Sequence, residues 1–294
     1  MKIAQRLLTG VLLLALVGCG TNSSVSDANL HAVAFGHGSF VAVGDSGEIV
    51  TSSDGASWKP QSSGVTEDLL CVTYGGNKFI VVGSGGRVLI SSDGTAWNAT
   101  TLSNDVSLLG VAYGDGTFVI VGKNGAVYTS TDGADWSSQG SGTSATLEAI
   151  TFATLFVTAG DNGTMLTSSD GASWSPVTTG TSQTLLGARY GNGAYLAVGA
   201  NGVIVRSRDA ESWSAVETGV SQDLNGVGYA LALFVVVGAQ GNILTSADAT
   251  TFTHRTSGTS ERLTGVAFGN NVFVAVGFSG TIVHSDDGIS WTTA

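Results

Sequence analysis

Seven pairs of a serine and an aspartate, two residues apart, are the residues of this chain whose type and spacing could most readily do chemistry. Clustered carboxylates of this kind could bind calcium or line a catalytic ring. A glycine follows five of the seven aspartates, and Ala210 and Ala249 replace it in the other two. Because short acceptor side chains beside glycine bind backbone N–H groups in tight turns, we interpret the pairs as structural. The pairs are Ser52/Asp54, Ser91/Asp93, Ser130/Asp132, Ser168/Asp170, Ser207/Asp209, Ser246/Asp248 and Ser285/Asp287.

An aromatic residue follows every pair and defines the repeat that positions it. These residues are Trp58, Trp97, Trp136, Trp174, Trp213, Phe252 and Trp291, with spacings of 39, 39, 38, 39, 39 and 39 residues. A fixed period near 39 indicates a repeat architecture. All six tryptophans of the chain thus have a place in the repeat. We predict that each ring packs between neighbouring units, which leaves none of them as a binding platform.

Each unit contains four short runs rich in valine, isoleucine and aromatic residues, bounded by turn residues, which predicts four β-strands. The fold class predicted is therefore all-β: a seven-bladed β-propeller of four-stranded antiparallel blades over residues 30–294. A β-solenoid fits less well, because it needs atypical caps, whereas the first and last units match the middle ones. Whole blades are expected to meet at the seam. The units begin at Leu30, Leu69, Leu108, Leu147, Leu185, Leu224 and Leu263.

The third and fifth residues of each innermost strand are nearly all small, as expected beside a crowded propeller axis. Cys71 is one of them, and we interpret it as a small hydrophobic residue. Arg189 is the exception. A buried arginine requires a partner, and Glu148 in the neighbouring unit is the best candidate. We interpret Arg189 as half of a structural ion pair or, alternatively, as a ligand anchor.

The Ser-x-Asp-Gly-x-x-Trp turn resembles the Asp-box of bacterial neuraminidase repeat proteins, shortened by one residue. The cadence of Phe40–Gly44 followed by Ser52–Trp58 is similar to that of the photosystem II stability/assembly factor family. This resemblance covers the mature chain and implies a β-propeller with an assembly role, without a necessary link to photosynthesis. Members that assist photosystem assembly carry an arginine-rich patch, which this acidic sequence lacks.

The resemblance also implies that the box turns lie on one face of the propeller, here called the box face, and that ligands meet the other. That other face, the mouth face, carries the loops before the inner strands and the turns between second and third strands. The second residue of each inner strand lies there, at the channel mouth. Our candidate binding residues are Arg189, Glu148, His31, Asn225 and Arg262.

Catalytic alternatives find little support in the sequence. A sialidase would need an arginine triad, a tyrosine nucleophile with a glutamate partner and an acid/base aspartate. All six tyrosines instead occupy positions of the repeat, and the four histidines lack metal-ligand spacing. We assign no catalytic residue, metal or cofactor. The predicted function is a non-catalytic binding or assembly scaffold. The alternative is an extracellular glycan-active hydrolase or lyase with residues at the channel mouth.

The N-terminus is typical of an export signal. Lys2 and Arg6 precede the apolar run 7–17, which is too short to span a bilayer. Leu16-Val17-Gly18-Cys19 resembles the lipobox of bacterial lipoproteins. The resemblance implies cleavage after residue 18, lipidation of Cys19 and a short tether over residues 19–29. An ordinary signal peptide is the alternative. Gly20 after the cysteine favours the outer membrane if the source is Gram-negative.

The charge of the chain limits its partners. The formal net charge is −11, and removal of the two basic residues of the signal would make it −13. Such a surface repels nucleic acid and anionic headgroups, so membrane attachment is expected from the lipid. The expected partner is a protein or glycan at the cell surface, bound by a monomeric propeller.

Overall fold

The computed structural model describes residues 26–294, which form seven separate sheets of four antiparallel strands each. Strand order within every sheet follows the chain, so each repeat builds one blade and no strand is exchanged at the seam. The predicted seven-bladed β-propeller is confirmed. The predicted signal 1–18 and Cys19 lie outside the described residues. Among residues 26–294, no helix combines the length and hydropathy needed to cross a bilayer.

The strands have the following bounds. The inner strands of blades 1 to 7 are Leu30–Gly36, Leu69–Gly75, Leu108–Gly114, Leu147–Phe152, Leu185–Gly191, Leu224–Ala230 and Leu263–Gly269. The second strands are Ser39–Gly44, Lys78–Gly83, Thr117–Gly122, Phe156–Gly160, Ala194–Gly199, Leu233–Gly238 and Val272–Gly277. The third strands are Ile49–Ser52, Arg87–Ser91, Ala126–Ser130, Met165–Ser168, Ile204–Ser207, Ile243–Ser246 and Ile282–Ser285. The outer strands are Lys59–Gln61, Asn98–Thr101, Ser137–Gly140, Ser175–Pro176, Ser214–Ala215, Thr253–Arg255 and Thr292–Thr293.

Short 3-10 turns join the second and third strands of the first six blades on the mouth face. They are Asp45–Gly47, Ser84–Gly86, Lys123–Gly125, Asp161–Gly163, Ala200–Gly202 and Ala239–Gly241. The chain of blade 7 turns there through residues 278–280 without a 3-10 assignment.

A β-bulge at the start of each inner strand positions the residues of the channel mouth. In blade 1, Leu30 pairs with Gly44 and Ala32 pairs with Val43, which leaves His31 without a partner on the second strand. The same shift occurs in the other six blades. A bulged residue is free of the regular pleat and can be aimed away from it. The bulge therefore frees the second residue of every inner strand to face the mouth.

The glycine that ends each second strand makes this path possible. A Cβ placed on Gly44 would lie 2.1 Å from the carbonyl oxygen of Asn29, and the other six glycines have the same conflict with the loop before their inner strand. The loop crosses so closely that the backbone N–H of Asp45 donates to Asn29 O at 3.0 Å. Any side chain larger than hydrogen would displace the loop and the bulge.

The core consists of seven apolar layers, each between two neighbouring blades. Trp58 packs with Phe40 of its own blade and with Val272 and Val274 of blade 7, and so joins the first blade to the last. It is 6% exposed. The other five tryptophans contact the preceding blade in the same manner but are only half-buried. The predicted packing of the rings between blades is confirmed.

The box turns are closed by hydrogen bonds within seven residues. In blade 1, the Ser52 hydroxyl donates to Asp54 Oδ1 at 2.9 Å and accepts the N–H of Gly55 at 2.8 Å. Asp54 Oδ1 also accepts the N–H groups of residues 56 and 57 at 2.9 and 2.8 Å. Trp58 Nε1 donates to Gly55 O at 3.1 Å. With so many donors on one oxygen, the box carboxylates are committed to their own turns, as predicted.

Candidate functional site

The central channel is surrounded by the seven inner strands and has two compartments. The mouth-side compartment has a volume of about 190 Å³ and is lined by the second to fourth residues of the inner strands. The box-side compartment has about 260 Å³ and is lined by the fourth to sixth residues of several blades. Val33, Val72 and Val266 line both. These fourth-position valines therefore mark the boundary between the two compartments.

The small residues at the third position are required by contact between neighbouring inner strands. A Cβ on Gly226 would lie 2.7 Å from Thr264 O of the next blade, and a Cβ on Gly187 would lie 2.9 Å from Asn225 O. The inner strands thus approach one another nearly to backbone contact. Cys71 occupies the same position in blade 2, where desolvation by its surroundings raises the pKa of its thiol. A thiol with a raised pKa is a poor nucleophile, which agrees with its interpretation as a small hydrophobic residue.

The mouth itself is a cavity of about 240 Å³ with one apolar and one polar side. Three leucines form most of the apolar side, and Glu148 lies between two of them along the ring of blades. Asn225, Thr264 and His31 occupy consecutive blades on the polar side, where Arg262 and Phe278 also line the cavity. In blade order, the second-position ring is His31, Leu70, Leu109, Glu148, Leu186, Asn225 and Thr264.

His31 belongs to a hydrogen-bonded group in blade 1. Its Nε2 lies 2.5 Å from Asp45 Oδ1, and the Asn29 amide donates to Asp45 Oδ2 at 2.7 Å. The imidazole also meets the Phe278 ring edge-on, with centroids 6.2 Å apart. Asp45 is one-third exposed, and its carboxylate and the Phe278 ring both contact the imidazole.

Arg262 connects blades 6 and 7 at the same rim. Its guanidinium donates to the Asn225 side-chain oxygen and lies 3.8 Å from an oxygen of Asp223. The guanidinium carbon is 5.8 Å from the centroid of the Phe278 ring, which is cation–π distance. Asn225 in turn donates to Leu263 O at 2.7 Å. Four of the five predicted binding residues, His31, Glu148, Asn225 and Arg262, therefore line one mouth.

Asp45 and Phe278 are site residues that the sequence reasoning missed. Both occupy the position directly after the glycine that ends the second strand. The sequence carries a signal there, because the residue changes in nearly every unit. In blade order the seven residues are Asp45, Ser84, Lys123, Asp161, Ala200, Ala239 and Phe278. A position that varies beside a glycine present in all seven units indicates that the fold does not require a particular side chain there.

Glu148 is the acidic residue of the second-position ring. Desolvation raises the pKa of its carboxyl, the nearby charge of Asp161 raises it further, and Lys123 opposes both. Within the described residues it has no salt-bridge partner. Its position between Leu109 and Leu186 supplies the desolvation. A carboxyl group in such surroundings is more readily protonated than one in water and can then donate a hydrogen bond.

Arg189 does not pair with Glu148, so that prediction is wrong. Glu148 is the second residue of its inner strand, whereas Arg189 is the fifth residue of the next inner strand. This difference of three positions corresponds to about 10 Å along the channel. Arg189 instead lines the box-side compartment. Its side chain is exposed to the water of the channel, and desolvation by the nearby wall lowers the pKa of the guanidinium. This access replaces the ion pair that complete burial would have required.

The remaining histidines and carboxylates of the described residues do not form a second site. His37, His254 and His284 lie in three different blades, and none of them lines the mouth cavity. Within residues 26–294, no three His, Cys, Asp or Glu side chains are grouped so that they could hold a metal ion. The seven box aspartates are engaged by turn N–H groups, which hold their pKa values low.

The segment before the first blade lies on the mouth face beside blade 7. The N–H of Gly280 donates to Ala28 O at 2.9 Å, and the N–H of Ser279 donates to Asn29 Oδ1 at 3.0 Å. A Cβ on Gly280 would lie 2.4 Å from Ser26 O, so the segment crosses this turn in close contact. Residues 26–29 therefore lie at the rim of the candidate site.

Comparison with known proteins connects this propeller to a family. Residues 16–294 match the family model described as photosynthesis system II assembly factor YCF48. A search of curated proteins finds no significant match. A solved structure of YCF48 bound to a D1 peptide superposes with a TM-score of 0.72 at 18% identity, covering 90% of this chain and 93% of that one.

Two further structures share the fold. YCF48 from Cyanidioschyzon merolae has a TM-score of 0.69 at 17% identity, with coverage of 88% of this chain and 96% of that chain. The computationally designed protein Ika8 has a TM-score of 0.65 at 13% identity, with coverage of 90% and 85%. At such identities these structures show likeness of fold.

Proposed function

The chain belongs to the photosynthesis system II assembly factor YCF48 family, and from that premise we propose that it is a non-catalytic scaffold that binds a peptide segment of a partner protein at the channel mouth. The support from the relatives is that a YCF48 propeller has been solved with a D1 peptide bound. The support from this chain is the mouth, where side chains break the repeat on the face opposite the boxes.

The observation that carries the proposal is the two-sided chemistry of this cavity. Leu70, Leu109 and Leu186 offer half-buried apolar surface to a hydrophobic side chain. Across the cavity, the arginine, asparagine and histidine of the polar side offer donors and acceptors to a peptide backbone or a carboxylate. Binding sites commonly combine an apolar lining with a few fixed polar groups of this kind. A volume of about 240 Å³ suits one or two side chains of an extended peptide whose remainder lies across the mouth face.

The proposed lipid anchor would orient this face. We propose that the chain is exported, cleaved after residue 18 and lipidated on Cys19, with the outer membrane as its place in a Gram-negative cell. Seven residues from Cys19 to Ser26 span at most roughly 25 Å. Because the segment reaches the propeller at the mouth rim, the anchor would hold the mouth toward the bilayer. The partner expected is accordingly a membrane protein with an extended segment near the lipid surface.

Site-specific crosslinking tests both the site and the partner. A photoreactive residue replaces Leu109 at the mouth in one variant and Ile289 in another, a 45% exposed residue on the box face. We expect a discrete adduct from position 109 in native membranes, identified as a membrane protein by mass spectrometry, and none from position 289. A synthetic peptide from the crosslinked segment should then bind the wild type and bind Leu109→Asp at least tenfold more weakly. Equal crosslinking from both faces contradicts the assigned site.

Removal of the lipid separates anchoring from recognition. Cys19→Ala should release the protein from the membrane fraction while leaving its affinity for the same peptide unchanged. A Cys19→Ala protein that stays with the membrane contradicts the lipid anchor and leaves the peptide site standing. Loss of peptide binding by the released protein contradicts the separation of the two parts.

The raised pKa of Glu148 favours one second candidate, a glycan-active hydrolase or lyase. Glycosidases commonly keep one carboxylic acid protonated by desolvation near another carboxylate, and Asp161 is the charge beside Glu148. The test is turnover of polysaccharide and aryl-glycoside panels by the purified protein. Turnover abolished by Glu148→Gln establishes this candidate over the scaffold.

A further inference from the structure

Arg189 is a cation in a compartment that contains no other charged residue. The box-side compartment has a volume of about 260 Å³, and its lining includes Thr73, Tyr74 and Tyr229 but neither a carboxylate nor a second basic group. The other lining residues come from blades 1, 2, 6 and 7, and Arg189 is the contribution of blade 5. The long side chain therefore faces the cavity from the side opposite blades 1 and 2.

The guanidinium has no protein partner among residues 26–294. None of the salt bridges among residues 26–294 includes Arg189, and none of the side-chain hydrogen bonds there involves its guanidinium. The chain has 22 acidic residues, so carboxylates are abundant, yet the channel wall presents none at this depth. The side chain of Arg189 is exposed to the water of the channel. An anion that enters by the same route as the water would meet a cation that no carboxylate of the compartment lining neutralises.

We propose that the box-side compartment is an anion site that binds one small oxyanion, of the carboxylate or phosphate type, on Arg189. Guanidinium presents paired N–H donors in a plane that fits two oxygens of such an ion. The inner strands add further donors, because each is paired on one edge only and its other edge faces the channel. The Thr73 hydroxyl is a third kind of donor in the same lining.

The site is separate from the proposed peptide mouth. The fourth-position residues Val33, Val72 and Val266 lie between the two compartments, and Arg189 lines only the box-side one. Its volume of about 260 Å³ admits a phosphate or acetate ion with a few waters. The net charge of −11 repels anions at long range, so the affinity expected is in the millimolar range.

Thermal unfolding in matched salts tests the proposal on the purified full-length protein. Sodium phosphate about 100-fold above its Kd should raise the Tm of the wild type by about 5 °C over sodium chloride of equal ionic strength. Arg189→Met should abolish this difference, because it removes the donors and keeps the length of the side chain. Arg208→Met removes a charge from an exposed residue of the same blade and should leave the difference intact.

The outcomes separate a specific site from a general salt effect. Without phosphate, Arg189→Met should have nearly the same Tm as the wild type, because the guanidinium is exposed to water and makes no bond within the described residues. With phosphate, the wild type should have the higher Tm. Equal phosphate shifts in the wild type and Arg189→Met overturn the proposal. Should Arg189→Met fail to fold, calorimetric titration of the wild type decides. One phosphate bound per chain and displaced by acetate supports the site, and no saturable binding overturns it.

Discussion

The box face and the mouth face use the same backbone repeat for opposite purposes. On the box face, each aspartate accepts N–H groups two and three residues further along its own turn, in all seven blades. On the mouth face, polar side chains bind across blades: Asp68 accepts the N–H of Ser46, and Arg262 donates to Asn225. Bonds closed within one turn can repeat unchanged, whereas bonds between blades depend on which neighbours meet. Variation, and with it recognition, is therefore concentrated at the mouth.

The largest expected effect of the difference between the two faces is a loss of folding stability at low pH, caused by protonation of the box aspartates. The box N–H groups lower the pKa of Asp54, Asp132 and Asp209 to about 2, and the other four box aspartates are lowered as well. A group whose pKa is lower in the folded state stabilises the fold above its unfolded pKa, here near 3.8. This stabilisation is lost as the pH falls through the folded pKa.

Urea unfolding measured from pH 7 to pH 2 checks this prediction. We expect a steep loss of stability between about pH 4 and pH 2, because seven carboxylates are protonated together. The Asp135 carboxylate makes no hydrogen bond in its turn, so Asp135→Asn is a matched control that removes a carboxylate without removing a turn bond. A stability that stays constant down to pH 2 contradicts the structural role of the boxes.

Truncation of a box tryptophan is expected to have the next largest effect. Trp58 is 6% exposed and joins blade 1 to blade 7, so Trp58→Ala should lower the free energy of unfolding by about 3–5 kcal/mol. Trp174 has the same role between blades 3 and 4 but is half-buried, and Trp174→Ala should cost about half as much. Denaturant unfolding measures both. Equal losses would show that burial does not distinguish the seam from the other interfaces.

The sequence predicts the fold better than the site because the fold follows a period and the site departs from it. The blades, the box bonds and the small third positions repeat seven times, so spacing and residue size were enough. The bulge at His31 leaves no mark in composition except the glycine that ends the second strand. The predicted ion pair between Arg189 and Glu148 is wrong because the two residues lie in neighbouring blades but at different depths along the channel. The contacts of Asp45 and Phe278 depend on the path of the loops between blades, which a period of 39 residues does not encode.

The blade 6 hairpin on the box face has residues that are poorly suited to its backbone conformation, and replacing them should stabilise the protein. Leu231 and Ala232 both have left-handed backbone conformations, with φ of 50° and 58°, whereas blade 5 has Asn192 and Gly193 there. Such conformations cost residues other than glycine and asparagine about 1–2 kcal/mol. Leu231 is 58% exposed, so its removal loses little packing. Leu231→Asn combined with Ala232→Gly should raise the free energy of unfolding by about 1–2 kcal/mol.

The reciprocal change in blade 5 serves as its control. Asn192→Leu combined with Gly193→Ala should lower stability by a similar amount, apart from the loss of the bond that Asn192 donates to Ala247 O at 2.9 Å. Both variants are measured by urea unfolding at pH 7. A stability gain in blade 6 without a loss in blade 5 would assign the effect to the exposed leucine rather than to the backbone.

The smallest expected effect on stability is at the mouth, where the sign is opposite to that of the box carboxylates. The pKa of Glu148 is raised in the folded protein, so its ionised form opposes folding, and stability falls as the pH rises from the unfolded pKa through the folded one. Glu148→Gln removes this opposition and should stabilise the protein at pH 7 by less than about 1 kcal/mol. At pH 4, where the carboxyl is protonated in the folded state, the variant and the wild type should be equally stable.

Urea unfolding of the variant and the wild type at pH 7 and at pH 4 measures this difference. If Glu148→Gln is less stable than the wild type at pH 7, the folded protein stabilises the ionised carboxylate of Glu148, as the turns stabilise the box aspartates. The two faces would then not differ in this respect at Glu148.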